Sequence, residues 1–306
     1  MNRLLVFGLG YSGRAVAELA AGAGWDVVGT SRKVGVTPDS PPPLEGLVHF
    51  AAQALKGRGG VGVTAFASAH AAIVGATHIL ATAAPGPEGD PVLALYADAI
   101  RAAPHLRWIG YLSSTVVYGD RGGGWVEEDT PPAPSQERGH RRRTAEVAWE
   151  GFADRCAVDI FRLAGIYGPT RSMFDDLRDG RARRMVKVGH AFGRIHRDDI
   201  ARAVLAAMAQ DRHSGTRVLN LNDDEPAESA AVVTEAARLL GVPPPPEVAF
   251  EAALPTMSPM ARSFWAENRK VASRQTKAAL GIEWLYPTYR EGLRAILAEE
   301  SGDRPA

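Results

Sequence analysis

The chain has 306 residues, 45% of them hydrophobic, with 35 lysines and arginines set against 35 aspartates and glutamates. That length and apolar content can bury a full α/β core, and the charge balance excludes a general pull toward nucleic acid or an anionic membrane. Cys156 is the only cysteine, which excludes an internal disulfide and a cysteine-cluster metal site and leaves it as an expected core residue.

The N-terminus lacks the separate basic and apolar regions of a secretory signal, and the run Leu4, Leu5, Val6, Phe7 is far too short to span a bilayer. A soluble cytoplasmic protein is expected, with no membrane and no nucleic acid among its partners.

That first apolar run ends in glycine, a periodic stretch through Ala15, Val16, Leu19 and Ala20 follows, and Val27 and Val28 precede Thr30. Strand, helix, strand is the natural reading. Residues 38–43 and 57–62 read as loops around a strand at 47–50. Residues 77–82 and 107–113 are again apolar runs of strand length, separated by a helical pattern through Leu93, Leu95, Ala99 and Ile100. This alternation predicts a parallel sheet with crossover helices.

A long helix is expected over 137–153, entered from the proline-rich segment 131–134, and a strand over 158–163 brings the sheet to about six strands. Beyond Gly165 come short arginine-rich pieces, a helix over 198–209, a strand over 218–221 and a helix over 228–240. The prolines at 243–246 then set off a C-terminal segment. The arginines between 178 and 184 read as a solvated surface.

The first turn carries the chemistry. Gly8-Leu9-Gly10-Tyr11-Ser12-Gly13 lies where a strand becomes a helix, the place where a tight turn, backbone approach to a diphosphate and close helix packing each require glycine. A dinucleotide diphosphate would rest on the helix N-terminus. At the end of the second strand, where an acidic residue would hold the ribose of NAD, the chain has Thr30, Ser31, Arg32 and Lys33. An arginine there can pair with a 2′-phosphate, so NADP is preferred over NAD. Thr82 and Ala83, after the fourth strand, are small enough to let the cofactor approach the backbone.

Beyond the glycine turn stand three further motifs: Tyr111-Leu-Ser-Ser-Thr-Val-Val-Tyr-Gly119, Phe161-Arg-Leu-Ala-Gly-Ile-Tyr-Gly-Pro169 and Arg194-Ile-His-Arg-Asp-Asp-Ile-Ala201. With them, nearly the full chain resembles the extended short-chain dehydrogenase/reductases, the NAD-dependent epimerase/dehydratase superfamily, and more closely its atypical members. The resemblance implies a Rossmann-type α/β fold, a doubly wound parallel sheet with a smaller C-terminal substrate lobe. It places an NAD(P)-binding domain at 1–164 and the lobe at 165–306, with segments near 190–222 packing back on the first domain.

It also implies that Ser114 hydrogen-bonds a substrate hydroxyl or carbonyl. The family's Tyr-x-x-x-Lys motif falls on Arg138 and Arg142, with Glu146 in the place of a glutamate four residues later. Guanidinium groups stay protonated, so these arginines can orient an anion but cannot relay a proton. Tyr118, Tyr167, His140 and Glu137 are the proton-carrying alternatives, Tyr118 foremost. His196 and Asp199 read as structural.

Tyr167-Gly-Pro169, Arg171 and residues 174–184 are expected to face the cleft that takes nucleotide-sugars or similar phosphorylated compounds in related enzymes. Trp265, Asn268 and Lys270-Val-Ala-Ser273 resemble a late segment of the atypical members. The expected function is an NAD(P)-dependent oxidoreductase or epimerase/dehydratase-like protein acting on a small molecule, with homodimerisation through the long helices implied by the family. The competing class, motivated by the lost Tyr-x-x-x-Lys motif, is a non-catalytic NADP-binding redox or ligand sensor.

Overall fold

In a computed structural model of the chain, residues 2–31 and 60–302 are described. The expected strand at 47–50, the loop at 38–43 and Arg32 lie outside them.

The elements follow in order: β1 (Arg3–Phe7), α1 (Tyr11–Gly22), β2 (Asp26–Ser31), β3 (Val61–Ala65), α2 (His70–Gly75), β4 (His78–Ala81), α3 (Pro91–Ala102), β5 (Trp108–Ser114), β6 (Trp125–Val126) and α4 (Glu137–Glu150). Then come β7 (Ala157–Leu163), β8 (Gly165–Tyr167), α5 (Met173–Arg178), β9 (Arg184–Val186), β10 (Arg194–His196), α6 (Arg197–Met208), β11 (Thr216–Leu221) and α7 (Ser229–Leu240). The chain closes with β12 (Glu247–Ala249), α8 (Phe250–Ala253), α9 (Pro259–Trp265), β13 (Lys270–Val271), α10 (Arg274–Leu280) and α11 (Tyr289–Glu300).

One seven-stranded sheet runs β11-β7-β5-β4-β1-β2-β3, and the pairings of β1 with β2 and β4, of β2 with β3 and of β4 with β5 are parallel. Strand order reverses at β1, so the chain leaves β1 and β4 on either side of the switch point, where ligands of doubly wound sheets bind. The sheet exceeds the expected six strands. Residues 61–65, partly read as loop, form β3: Gly62 interrupts an apolar pattern that Val61 and Val63 carry, and pairing with β2 supplies what local propensity lacks.

The chain divides into two compact units. The first comprises residues 1–113, 141–161 and 200–218, and the second comprises 114–140, 162–199 and 219–306. Within the first, Leu4 to Phe7 are at most 1% exposed, as a strand covered on both faces requires. Phe7, Ile79, Tyr96, Ile109, Trp149 and Cys156 belong to one apolar core. Cys156 sits there as expected, and burial pushes its thiol up to about 11.

Buried polar groups in this unit are paired. Asp90 caps α3 through Val92 and Leu93 N–H and accepts from the Trp149 indole at 3.1 Å. Asp159, fully buried, accepts from the Trp108 indole and from Arg212 and Arg217, which join it as charged partners.

The second unit has its own core of Tyr167, Phe174, Val232, Tyr289, Leu293 and Ile296. Asp199 is fully buried and accepts from the Leu285 and Tyr286 N–H groups at 2.6 and 3.0 Å, so it fixes the chain before α11. His196 is 2% exposed, and burial pushes its imidazole down to about 4. The surface reading fits Arg178, which pairs with Glu300, and Arg181, which pairs with Asp176 and Asp179, whereas Arg184 is half-buried with its Nε enclosed and lies 3.6 Å from Glu247. No helix among the described residues is long and apolar enough to cross a membrane.

Candidate functional site

The three glycines of the first turn have three different steric reasons to be glycine. Gly8 sits at φ +104°, a region other residues rarely adopt, and a Cβ on it would lie 2.6 Å from the Thr82 hydroxyl oxygen. A Cβ on Gly13 would lie 2.2 Å from the Gly8 carbonyl oxygen, so α1 can cross the end of β1 only here without a side chain. Gly10 differs: a Cβ there would meet nothing within 4 Å. The space above it is open.

Neighbouring strands hold this turn in place. The Gly8 N–H donates to the Thr30 hydroxyl at 3.1 Å, the Leu9 N–H to the Thr30 carbonyl at 3.0 Å, and the Thr82 hydroxyl to the Gly8 carbonyl at 2.8 Å. Helix α1 begins at Tyr11 with no side-chain cap and no acidic residue in its first turn. A helix start of this kind presents backbone N–H groups and a positive dipole end to an anion. Ser12 is buried, Ala83 follows Thr82 at partial exposure, and Ser31 closes β2.

In the second unit, Ser114 leads into a single 3₁₀ turn, Thr115–Tyr118, and its hydroxyl oxygen accepts from the Val116 N–H at 3.3 Å. An oxygen used as an acceptor still has its proton to give. Tyr118 does not occupy the position expected of a proton carrier. Its ring is fully buried, its hydroxyl lies 2.8 Å from the Asn220 side-chain oxygen and 3.0 Å from the Glu127 carbonyl, and burial raises its phenol. The Arg162 guanidinium lies over its ring at 4.7 Å. This geometry corrects the foremost proton-carrier expectation: the strand-end tyrosine fills space because its neighbours enclose it. Tyr167 is likewise buried, its phenol raised by burial and by Asp223 and Asp199.

Helix α4 carries the two arginines. At its start, Gly139 is packed so closely that a Cβ would lie 2.8 Å from Pro134 Cβ and 3.1 Å from the Val116 carbonyl oxygen. The Arg138 guanidinium lies over the Phe264 ring at 4.4 Å. Two residues beyond, His140 is exposed, as is Glu137 in the first turn.

In the first unit, Arg142 donates through one nitrogen to the Tyr111 hydroxyl at 3.1 Å and to the Leu112 carbonyl at 2.9 Å. Glu146 is fully buried, accepts from the Ser113 hydroxyl at 2.6 Å and pairs with Arg143 at 3.1 Å. The anchor glutamate thus holds the β5 end through Ser113.

The late segment gains a clear structural role. Strand β13 pairs with β6, the Asn268 N–H donates to Asp120, the Asn268 side-chain amide donates to the Gly189 carbonyl, and Arg269 donates to the Gly119 carbonyl while pairing with Glu267. Residues 267–271 therefore staple the loop that leaves the Ser114–Tyr118 turn. Periodicity gave no sign of this network, since Asn268 meets Asp120 across 148 positions, Arg269 meets Gly119 across 150, and Asn268 meets Gly189 across 79. No cluster of metal-binding side chains occurs among the described residues.

No family model matches the sequence. A solved structure of a functionally unknown conserved protein from Silicibacter pomeroyi DSS superposes with a TM-score of 0.83 at 40% identity, covering 98% of this chain and 99% of that one. This chain belongs to the family of that Silicibacter protein. Its fold is that of the NAD-dependent epimerase/dehydratase group of extended and atypical short-chain dehydrogenase/reductases, as the motifs implied.

Members of that fold group solved with ligands include MoeE5 with UDP-glucuronic acid and NAD, at TM-score 0.70, 20% identity and coverage of 98% and 100%. Another is a human epimerase family protein, SDR39U1, with NADPH, at TM-score 0.69, 17% identity and coverage of 96% and 98%. Among curated proteins, a 3-diazoavenalumate denitrifying reductase from Streptomyces sp is 33% identical over 99 residues. That match spans 32% of each chain, about a third of the reductase's length.

Proposed function

We propose that the protein binds NADP, or NAD, at the Gly8–Gly13 turn and acts as an oxidoreductase or epimerase/dehydratase-like enzyme on a small molecule. The observation that carries this reading is the division of labour among the glycines: two are locked against protein atoms, while Gly10 faces open space at an uncapped helix start. That is a cradle for a diphosphate. Gly8, Gly10, Tyr11, Ser12, Gly13, Ser31, Thr82 and Ala83 would hold the dinucleotide, and Arg32 would meet a 2′-phosphate. When bound, a nicotinamide gives or takes hydride.

Ser114 is the group for polarising a substrate oxygen, because its own oxygen is engaged by Val116 and its proton is free to be donated. Arg142 takes the lysine position as a fixed cation. With Tyr118 and Tyr167 enclosed, Glu137 and His140 are the exposed proton carriers at the start of α4. The UDP-glucuronic acid held by MoeE5 supports a nucleotide-linked or phosphorylated substrate.

A second reading, a non-catalytic nucleotide sensor, draws on the tether of Arg142 to Tyr111 and Leu112, which commits the lysine position to holding a strand. Calorimetric titration with NADPH, NADP⁺, NADH and NAD⁺, on wild type and Arg32→Ala, tests the binding claim. Binding of both phosphorylated forms, weakened in the variant, supports it, and isotope transfer from labelled NADPH to a product separates enzyme from sensor.

A further inference from the structure

The first unit carries a groove of about 550 Å³ at the sheet edge opposite the nucleotide turn. Three neighbouring strands begin there: Arg3 opens β1, Thr77 stands just before β4 and Arg107 just before β5. The Arg3 N–H donates to the Thr77 hydroxyl at 2.8 Å and the Arg107 N–H to the Thr77 carbonyl at 2.9 Å, so Thr77 is held between the two arginine backbones. Adjacent strands lie about 4.8 Å apart, which sets those two backbones roughly 10 Å from each other.

Each guanidinium is anchored on one side. The Arg3 Nε donates to Asp26 at 2.6 Å, and its Nη1 lies over Gly75, where a Cβ would come within 2.4 Å of it. Arg107 donates from one terminal nitrogen to the Asn2 side-chain oxygen at 2.9 Å. Among the described residues, Arg107 forms no ion pair and no carboxylate lines the groove. Arg3, Arg107 and the His105 ring beside them are all exposed, so a ligand can reach them.

Two features set this groove apart from a run of solvated arginines. The side chains are held at their inner ends by protein acceptors, which leaves the remaining N–H groups of each planar fork for a ligand. The Arg107 charge is balanced only by a neutral amide, so an anion gains there without first breaking an ion pair.

We propose that this groove binds a polyphosphate group, a di- or triphosphate anion bridging Arg3 and Arg107 across Thr77. A single phosphate can satisfy one guanidinium fork, whereas a chain of phosphates offers oxygens to two forks on strands that are not adjacent. The site lies outside the Gly8–Gly13 turn and does not depend on the nucleotide reading.

The test is calorimetric titration of the full chain at low ionic strength with inorganic phosphate, tripolyphosphate and ATP, on wild type, Arg107→Gln, Gly75→Ala and Gly10→Ala. Tripolyphosphate binding should weaken roughly 5- to 50-fold in Arg107→Gln and about 2- to 10-fold in Gly75→Ala, where the added methyl displaces the Arg3 guanidinium. It should hold within about twofold in Gly10→Ala, and phosphate should bind at least about tenfold more weakly than tripolyphosphate. ATP matching tripolyphosphate identifies the phosphate chain alone as the ligand, and ATP binding more tightly with the same dependence on Arg107 identifies a nucleotide. Gly75 ends α2 without a positive φ, so alanine there should melt no lower than wild type, which keeps the test valid if Arg107→Gln fails to fold. Absence of tripolyphosphate binding, binding indifferent to both groove variants, or binding lost in Gly10→Ala alone would overturn the proposal.

Discussion

One nitrogen of Arg142 bridges the Tyr111 hydroxyl and the Leu112 carbonyl, at 3.1 and 2.9 Å. The side chain at the family's lysine position therefore fixes the strand that delivers Ser114. Tyr111 is fully buried and stacked on Trp149, and burial pushes its phenol up to about 12, so it stays neutral and needs the partner.

Arg142→Ala leaves a buried hydroxyl and a carbonyl unsatisfied and should cost about 1–3 kcal/mol of stability in urea denaturation. Arg142→Ala with Tyr111→Phe should lose less than the sum of the two single changes, because the pair shares one interaction. Strict additivity would show that the contact carries no energy.

Ser114→Ala removes both a cap and the proposed polarising proton. Stability should fall by about 0.5–2 kcal/mol for the lost cap. Nucleotide affinity should hold within about twofold, and turnover should drop by roughly 100-fold or more. Unchanged turnover in a folded variant would remove Ser114 from the chemistry.

Burial pushes the Asp223 carboxyl from 3.8 up to about 8, with Arg194 opposing the shift and Asp224 and Glu225 adding to it. Between those values the folded chain retains a proton that the unfolded chain has released, so stability conferred at low pH is lost as pH rises toward 8. Asp223→Asn should flatten that fall, which approaches about 1.4 kcal/mol per pH unit at its steepest. Denaturation curves at pH 5, 6.5 and 8 read the slope directly, and identical slopes in both proteins would place the carboxyl's titration elsewhere.

The nucleotide turn was legible because every part of it is local: an apolar run, a glycine turn and a helical period lie within about twenty residues. The parallel sheet followed from the alternation of strands and helices. Other features needed the fold. Tyr118 read as a proton carrier until Asn220 and Glu127 closed around it, and Asn220 is 102 positions away. The staple from Asn268 to Asp120 and the bond from Arg142 to Tyr111 are likewise tertiary, with no period or spacing to mark them.

Gly13→Ala should unfold or strongly destabilise the chain, since its Cβ would meet the Gly8 carbonyl oxygen at 2.2 Å. Gly10→Ala should not. The backbone there, at φ −79° and ψ −164°, is open to any residue, and its Cβ meets no protein atom within 4 Å. Loss of a glycine cap for alanine should cost no more than about 1 kcal/mol.

The most direct measurement is therefore NADPH titration of Gly10→Ala beside wild type, with thermal melting of both. A near-native melting temperature with NADPH binding weakened at least about tenfold, worth 1.4 kcal/mol, is the expected result. Native affinity in that variant, or no NADPH binding by the wild type, would contradict the placement of the diphosphate over Gly10.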